Sequence, residues 1–284
     1  MPIPSVPDTY RAFFDDAATF PPGRAALQDA VRAYLARRHT PLAAAVGPSV
    51  LAVADLSAAA ELVAQIEPDG EALPVSAVVP VGGLGEARHT AAEVANHIRV
   101  TAVEVKTAEQ EDLAALAEDA GHVVAADDVA VWLELAAGQI DADTLALLGD
   151  RALGLKFRTG GLSAELFPTA QTLGEVIVAS VRADVPFKLT AGLHGSIRCT
   201  AAETGFDHHG FLNIAAATAA ARAGAELAEV AELLRTTDAA RLTATTPDGS
   251  WRRSFTSFGT CSILEPAESL RQLGLLDPRL LPAT

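Results

Sequence analysis

Apolar and polar positions alternate along the chain in two rhythms. Runs rich in apolar, β-branched or aromatic residues recur at 11–20, 49–56, 74–81, 99–107 and 129–136, twice within 151–194, and at 254–263. Between them the period lengthens to that of amphipathic helices, near 24–38, from Ser57, and near 86–98, 108–120 and 141–149. A short helix is predicted at 266–273. Strands alternating with helices argue for βαβ units and a parallel sheet. Eight such units in 284 residues predict a closed (β/α)8 barrel, α/β in class. A doubly wound open sheet is the alternative. Against it, the first turn has no G-x-G-x-x-G, and several strands carry charges near their C-terminal ends. The chain is therefore expected to be a single barrel domain over 1–284. The seventh and eighth strands are unusually far apart. The intervening 196–253 segment, with an Ala-rich helix near 211–234, is expected to be a lid or an oligomer surface rather than a second domain.

Composition narrows the function. Half the residues are hydrophobic and the formal net charge is −15, which disfavours nucleic acid and anionic membranes as partners. A local cluster of cations can still recruit a small anionic substrate. No apolar run reaches the length of a membrane span. The stretch MPIPSVPDTYRAFFDD lacks the basic and apolar regions of a signal peptide, so a cytoplasmic setting is expected. Cys199 and Cys261 form neither a metal-binding spacing nor a disulfide framework. No cofactor is implied, and a homo-oligomer is left open.

Only three lysines occur, Lys106, Lys156 and Lys188, against eighteen arginines. Each falls near the end of a predicted strand. Side chains alternate across a strand, so Glu104 shares a face with Lys106, Lys156 with Arg158, and Lys188 with Thr190. Val103, Val105, Leu155, Phe157 and Leu189 take the opposite face, towards the helices. In a barrel the charged face lines the lumen, and its C-terminal end is where active sites form. Asp16, Asp55 and Glu134 are expected to join the same ring. Crowded cations depress a lysine's pKa and free a nucleophilic amine, the environment expected for Lys156 beside Lys188 and Arg158. Asp16 and Glu104 would handle protons. A purely structural ion-pair network is the competing reading, although arginine would serve it equally well.

Three strand ends carry glycine: Thr159-Gly160-Gly161, Ala191-Gly192-Leu193-His194-Gly195 and Phe258-Gly259-Thr260-Cys261-Ser262. Glycines let backbone N–H groups approach an anion, and the loops after the last two strands are the usual phosphate cradle of such barrels. Ordinary tight turns explain them as well.

Together these three strands resemble the class I aldolases of the deoxyribose-phosphate aldolase type. The shared features are Lys156-Phe157-Arg158-Thr159-Gly160, then Lys188-Leu189-Thr190-Ala191-Gly192, then the Gly259–Ser262 turn. Ala191 stands where the family has a first glycine, Arg158 where it has a small residue, and Glu104 where it has aspartate; Lys106 is extra. The resemblance implies a Schiff base at Lys156, an electrostatic role for Lys188, and proton transfer through Asp16 and Glu104. It also implies a phosphate seated at the strand-seven and strand-eight glycines.

The expected function is thus a Schiff-base lyase acting on a small, phosphorylated carbonyl compound. Lys156, Lys188, Glu104, Asp16 and Lys106 would be catalytic. Arg158, Thr159, Gly160, Gly161, Thr190, Gly192, His194, Gly259, Thr260 and Ser262 would bind substrate. An isomerase or decarboxylase using lysine as acid or base, and a non-catalytic barrel, are the alternatives. His194, His208 and an acid could hold a metal, although their spacing matches no signature and no metal is expected. Phe206, Phe211 and Leu212 flank His208-His209 and could close over a ligand. Cys261 reads as an inert packed thiol, and Arg252-Arg253 as a solvated pair.

Overall fold

The computed structural model describes residues 4–108, 110–202, 204–246 and 249–282. Eight parallel strands close into a (β/α)8 barrel: β1 (Phe14–Asp16), β2 (Val46–Ala52), β3 (Leu73–Pro80), β4 (Ile98–Lys106), β5 (Ala130–Glu134), β6 (Gly154–Arg158), β7 (Phe187–Thr190) and β10 (Phe255–Thr260). A two-stranded antiparallel pair, β8 (Cys199–Thr200) and β9 (Asp207–His208), stands apart from it. The shell contains α1 (Leu27–Arg38), α2 (Leu56–Ile66), α3 (Leu84–Glu93), α4 (Leu113–Asp127), α5 (Ala142–Asp150), α6 (Ala170–Arg182), α7 (Phe211–Arg222), α8 (Leu227–Arg235), α9 (Ala239–Thr245) and α10 (Leu264–Gln272).

Several of these helices start where the sequence offers a cap. Asp112, Asp141 and Thr169 each accept a backbone N–H of the first turn of α4, α5 and α6. The first strand is far shorter than the aromatic run 11–20 suggests. Its residues Phe14, Asp15 and Asp16 are all buried, and it pairs with β2 and β10.

The Ala-rich stretch 211–234 is two helices. Gly224, at φ +90°, ends α7. Its N–H reaches Ala221 O and the next N–H reaches Ala220 O, which satisfies the last carbonyls. Apolar periodicity runs through this break, so pattern alone reads one helix. Phe211 through Thr218 are buried, and α7 packs against α6, α8 and β10. Among the described residues of the 196–253 segment, it is His208 of β9 that lines the mouth.

The N-terminal ends of β1, β7 and β10 enclose an aromatic cluster. Phe13 meets Trp251, Phe255 and Phe258 edge-on, each at 5.1 Å between centroids. Phe187 stacks on Phe255 at 5.5 Å. Arg252 is not a solvated residue. It lies over the Phe13 ring at 4.5 Å and donates to Arg11 O at 3.0 Å, and burial draws its pKa down to about 10. Its planar cation stacks on the cluster's outer face.

Candidate functional site

Parallel pairing sets the luminal side chains at matching heights. Lys156 is in register with Lys188 and with Glu134, and Lys106 with Glu134. The C-terminal strand ends thus surround a cavity of about 470 Å³. All three lysines line it, with Glu104, Glu134, Arg158, Thr190, Gly161, Gly192, His194, Gly259 and Thr260.

At its base an ionic chain crosses the lumen. Ser257 donates to Asp15 Oδ2 at 2.8 Å, and the same oxygen accepts from Lys188 Nζ at 2.6 Å. Lys188 Nζ also reaches Glu104 Oε1 at 2.5 Å, while Ser76 donates to that oxygen at 2.6 Å. Glu104 Oε2 lies 2.7 Å from Lys156 Nζ, which lies 2.8 Å from Glu134 Oε2. Glu134 Oε1 accepts from Arg158 at 3.0 Å. Signs alternate throughout, which is how buried charges are tolerated. Lys156 is 4% exposed, and Lys188 and Glu104 are each 2% exposed.

The electrostatics reverse one expectation. The lysines do not crowd each other as bare cations, because Glu104 stands between them. Burial alone would lower Lys188, but Asp15 and Glu104 outweigh it and hold its ammonium well above the ordinary lysine range. Burial likewise opposes the charge on Glu104, yet Lys188 and Lys156 keep its carboxyl well below the usual range; Glu134 is lowered in the same way by Lys156 and Arg158. Burial pushes Asp15 up, against the pull of Lys188.

Asp16 is not in this site. It shares a face with Phe14, which packs on Phe211 of α7, and its carboxylate reaches outwards to Arg37 of α1 at 2.6 Å. Asp15, one residue earlier, takes the luminal place. Asp55 also falls outside the ring, in a 3-10 turn after β2. Lys106 lies at the exposed rim, with no hydrogen-bond or ion-pair partner among the described residues. It is therefore not a member of the relay.

The glycine turns are shaped in part by contacts within the fold. Thr159 is buried and ties the β6 and β7 ends together by donating to Ala191 O at 2.7 Å. A Cβ on Gly160 would lie 2.7 Å from Gly192 Cα, so these two glycines are needed for backbone contact with each other. Thr260 and Ser262 bond to one another, Ser262 N–H to Thr260 Oγ1 at 3.3 Å and the Thr260 hydroxyl to Ser262 O at 2.9 Å. His194 is engaged by Glu265 at 2.7 Å, and His208 Nδ1 by Gly192 O at 3.1 Å. No group of three or more His, Cys, Asp or Glu among the described residues is arranged to hold a metal. Burial pushes the Cys261 thiol up, which makes it a poorer nucleophile.

Sequence reasoning missed Asp15, which pairs with Lys188; Ser257, which donates to Asp15; Ser76, which donates to Glu104; and Trp132, whose ring lies 5.9 Å from Lys188 Nζ. Nothing in the pattern distinguishes Asp15 from Asp16, since each follows a phenylalanine two residues back.

Among the described residues, no helix is long and apolar enough to cross a membrane. No protein-family model matches the chain, and no curated protein sequence does. Among solved structures, it is similar to the tetrameric deoxyribose phosphate aldolase from Aeropyrum pernix, with a TM-score of 0.52 and 14% identity. The match covers 93% of this chain and 92% of that one. At that identity the likeness is one of fold: both chains form the barrel over nearly their whole length.

Proposed function

We propose that this chain is a Schiff-base lyase acting on a small anionic carbonyl compound, with Lys156 as the reacting amine. The observation that carries the reading is the convergence of all three lysines of an otherwise lysine-free chain on one open cavity. The barrel likeness to an aldolase supports it as analogy only. The three lysines are not equivalent. Lys188 is held as a cation, and Lys106, though in register with Glu134, makes no ion pair among the described residues. Lys156 has two, Glu104 at 2.7 Å and Glu134 at 2.8 Å.

The chemistry follows from that placement. Lys156 gives up its ammonium proton to solvent in the open cavity, and its lone pair forms a C–N bond to the substrate carbonyl carbon. The resulting hydroxyl takes a proton back and leaves as water, giving a positively charged iminium. That cation draws in the electron pair of the bond between the adjacent carbon and the hydroxyl-bearing carbon beyond it. The hydroxyl proton passes to water, the far fragment leaves as a carbonyl compound, and the enamine left on Lys156 is reprotonated and hydrolysed to free the amine. Lys188 fixes Glu104 by charge and hydrogen bond, so the carboxylate beside Lys156 keeps its place and its negative charge through the cycle, where it stabilises the iminium.

A second reading is acid–base catalysis without a covalent step. The contact of Lys156 with two carboxylates favours it, since an ammonium there is placed to hand a proton to substrate. Borohydride reduction with a panel of small aldehydes, ketones and 2-oxo acids separates the two. One adduct per chain, mapped to Lys156 and absent from Lys156→Arg, is the expected result. Full activity in Lys156→Arg with no trapped adduct would remove the Schiff base. An activity that survives borohydride and is lost in Lys156→Arg would favour the proton-transfer reading.

A further inference from the structure

A second cavity of about 720 Å³ opens beside the mouth, over the ends of β5 and β6. Lys106, Glu134, Arg158, Leu166 and Phe167 line both cavities, so the two share one wall. Away from the shared wall, the polar groups of the second cavity are engaged within the protein. Thr107 donates to Glu134 O at 2.8 Å, and Gln139 accepts from Ala136 N–H and donates to Ala108 O, both at 2.9 Å. Thr169 and Thr172 bond to each other at 3.0 Å, and Glu165 accepts from Ser163 at 2.6 Å. What remains for a ligand is apolar: Leu135, Ala137, Ala164, Leu166, Phe167 and Pro168.

The connection from β6 to α6 carries two large apolar side chains in the open, Leu162 at 68% and Leu166 at 37% exposure. Both stand beside the mouth cavity. The threshold between the cavities is cationic. Lys106 is unpaired among the described residues, and the side chain of Arg158 is 36% exposed. Among the described residues, Arg158 Nη1 reaches only Gly160 O, at 3.5 Å. The glycine turn of β10 offers no comparable charge, because the lysines and the arginine of the cavity wall lie on β4, β6 and β7.

We propose that the substrate is an elongated carboxylate: carbonyl carbon at Lys156, carboxylate at the Lys106–Arg158 threshold, apolar arm in the second cavity. The placement of the carbonyl rests on the Schiff-base reading; the threshold and the chamber do not. Arg158 and Lys106, two of the residues that depart from the aldolase pattern, become specificity determinants.

The test is calorimetric titration of the full chain with straight-chain carboxylates from acetate to decanoate, beside alcohols of equal length. Burial of each methylene predicts about a fourfold gain in affinity until the chamber is filled. Carboxylates should bind about tenfold more tightly than the matching alcohols, the scale of a charge-assisted contact. Lys106→Gln should remove most of that difference and leave alcohol binding unchanged. Ala137→Trp, at the exposed lip, should abolish the length dependence; should that variant not fold, Ala164→Trp makes the same prediction. Lys156→Met should retain the length dependence, so the chamber is tested even where no carbonyl compound can be trapped. Affinity independent of length, alcohols binding as well as carboxylates, or no binding at any length would each overturn the proposal.

Discussion

The same three strands fill the two ends of the barrel in opposite ways. β1, β7 and β10 begin among Phe13, Phe187 and Phe255, and within two residues have passed to Asp15, Lys188 and Ser257. At the aromatic end, burial and edge-on ring contacts stabilise the fold and ask only for volume and shape. At the ionic end, every charge loses hydration and is held because a partner of opposite sign lies within about 3 Å. Apolar residues of equal volume would fill that space at no less stability. A buried relay that opens into a cavity is therefore explained better by chemistry than by folding.

That contrast can be broken most severely at Glu104. Glu104→Gln leaves both lysines short of a charged partner; it should lower unfolding free energy by about 3–5 kcal/mol in denaturant titration and abolish adduct formation. Trp251→Ala, at the other end, should lower stability by a similar amount, about 3–5 kcal/mol. Its folded fraction, however, should form adduct at the wild-type rate, because no relay residue is touched. Equal loss of chemistry in both variants would show that the two ends are not separable.

The adjacent aspartates sharpen the comparison further. Asp15→Asn removes a charged partner from buried Lys188 and should lower stability by about 2 kcal/mol with a slower adduct rate. Asp16→Asn loses a partly exposed contact to Arg37, and should lower stability by at most about 1 kcal/mol with the adduct rate unchanged.

Stability against pH gives the smallest and most diagnostic effects. Glu104 and Glu134 are depressed in the folded state, so their contribution is present above the ordinary carboxyl value of about 4.3 and lost as pH falls below it. Lys188 is raised, so its contribution is complete below about 10.4 and lost as pH climbs beyond. Asp15 and Asp16 are raised by burial and act in the opposite sense to the glutamates. Glu104→Gln should therefore flatten the acid limb of the stability profile, and Asp16→Asn should steepen it slightly.

The barrel was legible because its two periods are: alternation in strands, a longer repeat in helices, and charges confined to strand ends. The luminal places of Glu104, Glu134, Lys156 and Lys188 followed from parity within strands that also hold clear apolar positions such as Val105 and Leu155. Parity failed at β1, where Phe13 and Phe14 are both aromatic and both buried, and a one-residue slip exchanges Asp15 for Asp16. The charge state of the relay was not legible either. It depends on Glu104 standing between two lysines from different strands, a fact of closure rather than of any local pattern. At the glycines of the β6 and β7 turns, a close backbone approach to another turn and one to a ligand leave the same trace in sequence, and Gly160 and Gly192 make the first.

The most direct measurement uses the scarcity of lysine. With lysine side chains alone labelled in carbon and nitrogen, the spectrum holds three signals that can be followed through pH and on adding a carbonyl compound. The account predicts that Lys188 keeps its proton beyond the ordinary lysine range while the carbonyl compound perturbs Lys156 and, under borohydride, converts it alone to a secondary amine. Loss of the Lys188 proton at or below the ordinary value, or reaction at Lys106 or Lys188 in place of Lys156, would contradict it.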